Sequence, residues 1–184
     1  MLGHPDERPG MTVTPTFLSV SGADSALFRD AFRSHPAGVA VVTAASPEGP
    51  VGLTASSVAS VAVDPPSLAF SVSGGRSAVH IAEAETVLVH LVDAEQVGLV
   101  RTFATPGSPR FTEAMDWEAL PTGEPWLRAA PWALRCAITH RVPVGGSVLL
   151  AATVLEVLAQ ERHGAPLVYH DRAFHALGAH SQLD

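Results

Sequence analysis

This 184-residue chain has one cysteine, one tyrosine, and only eleven basic residues against eighteen acidic ones. A lone Cys136 rules out an intramolecular disulfide framework and suits a reducing compartment. Sparse cations on a chain of net charge −7 argue against a nucleic-acid groove, where clustered Lys/Arg must replace counterions. The same balance argues against an anionic membrane surface. Long hydrophobic runs are also missing. The longest, 148–159, contains Glu156 and is too short to cross a bilayer, so it reads as a buried strand. The first residues show no basic start followed by an apolar run, so no secretory signal is expected and the cytoplasm is the default.

The chain does have ample apolar material. Hydrophobic residues make up 47% and charged residues 16%, which suits one packed domain rather than overall disorder. Residues 1–21, rich in Pro, Thr and Gly, read as a flexible tail in which Met11 offers an alternative start. The domain is expected over 22–178, with 179–184 as a C-terminal tail. Ser21 or Asp24 can cap a short helix that pairs Leu27 with Ala31 and Phe28 with Phe32 before Pro36 ends it. Strands are expected at 38–45, at 51–63 as one unit, and at 67–73. A Gly-Gly loop then leads to a helix capped by Ser77, a strand at 86–92 and a helix at 95–104. Residues 105–131, with two tryptophans and several prolines, read as an irregular stretch. Strand 132–144 turns at Gly145-Gly146 into a return strand at 147–159, and 166–177 forms a last hairpin about Asp171-Arg172. Hairpin-linked strands in this order predict a mainly β, antiparallel sheet or barrel with peripheral helices.

Several kinds of chemistry are excluded. There is no GxGxxG opening a helix after a strand, no GxxxxGK[ST] loop and no GxSxG elbow, and no catalytic residue is assigned. Cys136, midway along an alternating strand, reads as a small core hydrophobe. Among nine histidines, His170, His175 and His180 recur every five residues, which faces neither one helix side nor one strand side. No metal site is expected from that spacing. His140 shares the inward parity of Cys136 and reads as a core histidine.

The stretch GLTASSVASVAVDPP (52–66) admits two accounts. By strict alternation Thr54, Ser56 and Ser60 share one face, with Ser57 on the apolar side. They can be the solvated face of a sheet. Alternatively, hydroxyls and open N–H groups near a strand end can gather phosphate or ribityl oxygens. SVSGGRS (71–77) adds Ser71, Ser73 and Ser77, a flexible Gly-Gly and the cation Arg76, with Ser77 near a helix N-terminus where anions bind well.

These two segments, with GVAVVTAA, AEQ, Arg110-Phe111, LRCAI and PLVYHDRAFHAL, resemble the flavin reductase-like family of FMN-binding split barrels from about Phe28 to Leu177. The resemblance implies a six-stranded antiparallel Greek-key split β-barrel with peripheral helices, a homodimer, and FMN or FAD bound in a groove near the subunit interface. It implies that Thr54, Ala55, Ser56 and Ser57 lie along the flavin, with Ser71, Val72 and Ser73 beneath it. Arg76 and Ser77 then form the phosphate loop, and Arg110 and Phe111 close near the ring. The implied activity is an NAD(P)H:flavin oxidoreductase supplying a partner monooxygenase. The alternatives are another flavin-dependent enzyme of the same fold, or a flavin-binding protein without turnover. Three positions depart from the family pattern. Val87-Leu88-Val89-His90 stands for Phe-Ala-Val-Asn, Gly145-Gly146-Ser147 for Gly-Asp-His, and Phe174 for Tyr. The missing histidine is associated in some members with the nicotinamide site, and His90, His140 and His175 are the candidates to stand in for it.

Overall fold

The alternating stretches pair into one antiparallel sheet that curls on itself. A computed structural model describes residues 24–161 and 164–183; the expected tail, with Met11 and Ser21, lies outside them. In chain order the elements are α1 (Ser25–Arg33), β1 (Ala37–Gly38), β2 (Ala40–Ser46), β3 (Gly49–Ala55), β4 (Ala59–Val63), β5 (Pro66–Ser73), α2 (Gly75–Glu83) and β6 (Thr86–Leu91). A 3₁₀ turn then enters α3 (Val97–Ala104). There follow β7 (Trp117–Ala119), β8 (Pro125–Leu127), β9 (Trp132–Val144), β10 (Ser147–Ala159), β11 (Leu167–His170) and β12 (Ala173–Ala176). Residues 105–131 are therefore not wholly irregular, because β7 and β8 form a small hairpin. After β12, Ala179–Ser181 makes one more 3₁₀ turn.

The seven strands of the main sheet run in the order β3-β2-β6-β9-β10-β5-β4. Its two edge strands, β3 and β4, are consecutive in the chain, so 56–58 joins the edges and closes the sheet into a barrel. Counted as one bent strand, they make a six-stranded antiparallel barrel, with β2–β6, β6–β9 and β5–β10 as its non-hairpin neighbours. This corrects the reading of 51–63 as a single strand. Alternation breaks at the corner, where Ser57 Oγ accepts from Ser71 N–H at 2.9 Å and donates to Ser71 O at 3.2 Å.

Two cores result. Inside the barrel lie Ala40, Val42, Phe70, Val87, Val89, Cys136 and Leu150. The outer face of β2 and β6 is covered by α3 and the 105–131 segment, burying Val41, Val100, Phe103 and Leu127. These two strands are thus buried on both faces, which explains why their central residues are apolar except for Thr43, whose hydroxyl donates to Pro125 O, and His90. Cys136 is fully buried and its thiol is pushed up to about 12, so it stays a thiol and packs. Gly52 sets the fit of α3 on β3: a Cβ there would lie 2.6 Å from Phe103 Cε1 and 3.2 Å from Val42 O. Because Phe103 is buried and cannot swing away, Gly52→Ala is expected to cost about 1–3 kcal/mol by overpacking, read as a lower urea midpoint.

Two strand expectations need correction. A bulge at Thr139, where Ile138 pairs with Ala152 but His140 with Ala151, flips parity, so His140 faces solvent rather than the core. The 147–159 strand is buried on one face only: Leu149, Leu155 and Val157 are exposed. His90 is the buried histidine instead. Its Nδ1–H donates to Val41 O at 3.0 Å, and Nε2 accepts from Leu127 N–H at 3.0 Å. A backbone N–H can only donate, which fixes this neutral tautomer. Burial lowers His90 from 6.5 to about 4.

A smaller sheet, β1-β11-β12, packs beside the barrel. Asp93 ties it on, its buried carboxylate accepting from Glu95 N–H at 2.9 Å and Gly164 N–H at 2.6 Å. α1, capped by Asp24 through Ala26 N–H, buries no residue and contacts the β11–β12 turn through Arg33.

Candidate functional site

The barrel corner, the β5–α2 turn, the end of α3 and the last hairpin enclose a groove of about 900 Å³. Ten of the eleven residues singled out from the sequence line it: Thr54, Ala55, Ser56, Ser57, Ser71, Val72, Ser73, Arg76, Ser77 and Arg110. Phe111 does not. It has φ 56° and is wedged between the rings of Phe103 (5.3 Å) and Trp117 (5.2 Å), supporting the groove wall from behind.

The hydroxyls divide by role. Thr54 Oγ1 donates to Val100 O at 2.7 Å and anchors α3, while Ser57 is committed to Ser71. Ser56 and Ser73 make no side-chain hydrogen bond among the described residues, so their hydroxyls remain available to a ligand. At the β5–α2 turn Gly74 (φ 62°) and Gly75 (φ 72°) take up backbone that side chains resist. Ser77 was expected to cap α2. The N-cap is Gly74, which offers no side chain, and Ser77 lies inside the first turn. The first-turn N–H groups of Gly75, Arg76 and Ser77 are therefore uncapped, at the positive end of the helix.

Three arginines line the groove, and no Asp, Glu, His, Cys or Lys does. Arg76 Nη2 lies 2.5 Å from Glu48 Oε2 in an exposed pair across to the β2–β3 turn. Arg110 is a brace. Nη1 donates to Gly52 O at 2.8 Å and Ser77 Oγ at 3.2 Å, Nη2 donates to Thr105 O at 3.1 Å, and the guanidinium lies 5.6 Å from the Phe103 ring centre. Arg172 comes from the last hairpin with Tyr169 and Phe174. Sequence reasoning missed these three as lining residues, because nothing local shows that a hairpin at the chain's end folds over residues 54–57.

None of His90, His140 or His175 lines the groove. His90 is sealed between β2 and β8, while His140 and His175 face solvent. Among the described residues no three His, Cys, Asp or Glu side chains meet as metal ligands, and no helix is long and apolar enough to cross a membrane.

A family model described as the flavin reductase like domain matches residues 32–178. The chain belongs to the flavin reductase-like family. It is 36% identical over 171 residues to an NADH:FMN oxidoreductase of Rhodococcus qingshengii, spanning 91% of this chain and 88% of that protein. It also superposes on a flavin reductase domain protein from Arthrobacter sp. FB24 with a TM-score of 0.80, at 31% identity over 88% of this chain and 98% of the other. A third flavin reductase, BorF, is described as the flavin reductase component of a bacterial two-component tryptophan halogenase. It matches with a TM-score of 0.72 and 28% identity over 84% and 98%.

Proposed function

We propose that this chain is an NADH-dependent flavin reductase that binds FMN in the groove and passes reduced flavin to a partner monooxygenase or halogenase component. One observation carries the reading: a groove whose charged lining is wholly cationic, on a chain of net charge −7, and which holds no residue suited to acid–base work near neutral pH. Such a site binds and orients an anionic ligand, and the chemistry belongs to what is bound. The donor set fits a flavin mononucleotide. Uncapped N–H groups of α2 and Arg76 suit its phosphate, Ser56 and Ser73 its polyol, and Leu53, Val72 and Phe103 an apolar ring.

Bound flavin supplies the two-electron acceptance of hydride from NADH. The chain's residues fix its position: Arg110 holds α2 against β3, and Thr54 and Phe103 hold α3 against the same strand. The exposed Arg76–Glu48 pair keeps the cradle open to water, which suits a flavin that leaves after reduction. The family relationship supports FMN and NADH, and BorF's role in a two-component system supports the onward partner. We further take 22–178 as the reductase domain, with 1–21 and 179–184 as tails, and the cytoplasm as its location. We take the protein as a homodimer that covers exposed Val142, Val144 and Leu149, where Leu149 pairs with Val142 across β9–β10.

The experiment is a flavin titration followed by NADH consumption. The purified chain should quench FMN fluorescence saturably, and NADH should be oxidised only when FMN is present. FMN binding without NADH turnover would overturn the reductase reading.

A further inference from the structure

Asp171 and Arg172 form the tight turn between β11 and β12, and both have positive φ, 46° and 63°. Hairpin turns of this kind favour Asn-Gly, because a side chain such as arginine's enters that region only at a cost in stability. Strain of this kind, held in a residue that lines a groove, points to a use for that residue.

Arg172 makes no hydrogen bond or ion pair among the described residues. Its neighbour Asp171 would be the natural partner but is engaged elsewhere. Arg33 Nε lies 2.5 Å from Asp171 Oδ1, and Asp171 N–H donates to Arg33 O at 3.1 Å. The Arg33 hydrogen bond and charge, with a smaller contribution from the neighbouring Arg172 charge, hold the Asp171 carboxyl below its ordinary value, so it stays ionised and hydrogen-bonded to α1. Tyr169 and Phe174 flank the turn as a tilted aromatic pair 5.1 Å apart, and Arg101 lies 5.7 Å from the Phe174 ring centre. The hairpin thus presents a cation that is hydrogen-bonded to no carboxylate among the described residues, beside an aromatic wall.

FMN has one phosphate, and the uncapped turn of α2 with Arg76 already serves it. The dihydronicotinamide dinucleotide brings a pyrophosphate and two further rings into the same groove. Building on the reductase reading, we propose that Arg172 binds the pyrophosphate of the dinucleotide substrate beside Tyr169 and Phe174, and that Arg33 positions it by holding Asp171. Arg172 is a binding residue for the hydride donor, and the Arg33–Asp171 pair is its support.

The test uses the full chain at saturating FMN with Arg172→Gly and Arg172→Lys. In Arg172→Gly the KM for NADH should rise about tenfold, the loss expected for one charge-assisted contact, while kcat and the FMN Kd hold. Its thermal midpoint should stay level or rise, because glycine is at ease at φ 63°. A residue with a merely structural role would show the opposite pattern. Arg172→Lys should recover part of the lost affinity. The KM for N-benzyl-dihydronicotinamide, a hydride donor without phosphates, should not change in either variant. An unchanged NADH KM in Arg172→Gly overturns the proposal and leaves the reductase reading standing. A weakened FMN Kd with unchanged NADH KM assigns the cation to the flavin and also overturns it. Absence of FMN-dependent NADH oxidation in the unaltered chain would instead remove the reductase reading on which the proposal rests.

Discussion

Lowering the pH from 7 to 4 is expected to remove about 3 kcal/mol of folding stability through His90 alone. In the folded chain this imidazole is buried and neutral, with its value lowered from 6.5 to about 4. In the unfolded chain it takes up a proton near 6.5. Between those values the unfolded state binds more protons, so stability falls as pH drops through that window and levels off below about 4. Glu124 adds a second loss at lower pH. Burial alone would raise its carboxyl, but hydrogen bonds from Thr122 and Thr86, with the Arg135 charge, hold it below its ordinary 4.5. Its contribution is present above 4.5 and disappears as pH falls through the lowered folded value. Urea unfolding at a series of pH values reads both. His90→Asn, which cannot titrate, should flatten the part between 6.5 and 4, and a slope left intact in that variant would show that His90 is not its source.

Ser56→Ala combined with Arg76→Ala is expected to weaken FMN binding by about 2 kcal/mol, roughly thirtyfold in Kd. Arg76 is three-quarters exposed, so its part lies at the low end for a charged contact. Riboflavin, which has no phosphate, separates the two residues: Arg76→Ala alone should leave its binding unchanged, whereas Ser56→Ala should weaken both flavins. Glu48→Gln acts in the opposite sense. It releases Arg76 from its carboxylate partner and should tighten FMN up to about fivefold without altering riboflavin. Equal affinity of the double variant and the original chain for FMN would mean that these residues only face water.

The strands that sequence showed most clearly are those with a continuous physical reason for their pattern. β2 and β6 are buried on both faces because one face lines the barrel and the other lies under α3 and the β8 segment. The Gly145-Gly146 and Asp171-Arg172 turns were legible from turn chemistry alone. Ser56–Ser57 and Thr139 were not, because each interrupts a period-two pattern without a Gly or Pro to mark the break. The first bends one strand into two edges, and the second turns His140 outward. At the site, Thr54 to Ser57 and Ser71 to Ser77 are close in sequence to the corner and turn that present them, so their grouping could be anticipated. Which hydroxyls remain open to a ligand depends on contacts with Val100 and Ser71 that only folding creates. Arg172 reaches the groove through a hairpin docked by Arg33 and Asp93, and no local signal announces that.

The most direct test of the account mixes the chain and equimolar FMN with NADH in the absence of oxygen. The yellow flavin absorbance is expected to bleach rapidly with the chain present and only slowly with FMN and NADH alone. If bound FMN kept its absorbance at the rate seen without protein, the groove would hold flavin without serving hydride transfer, contradicting the central claim.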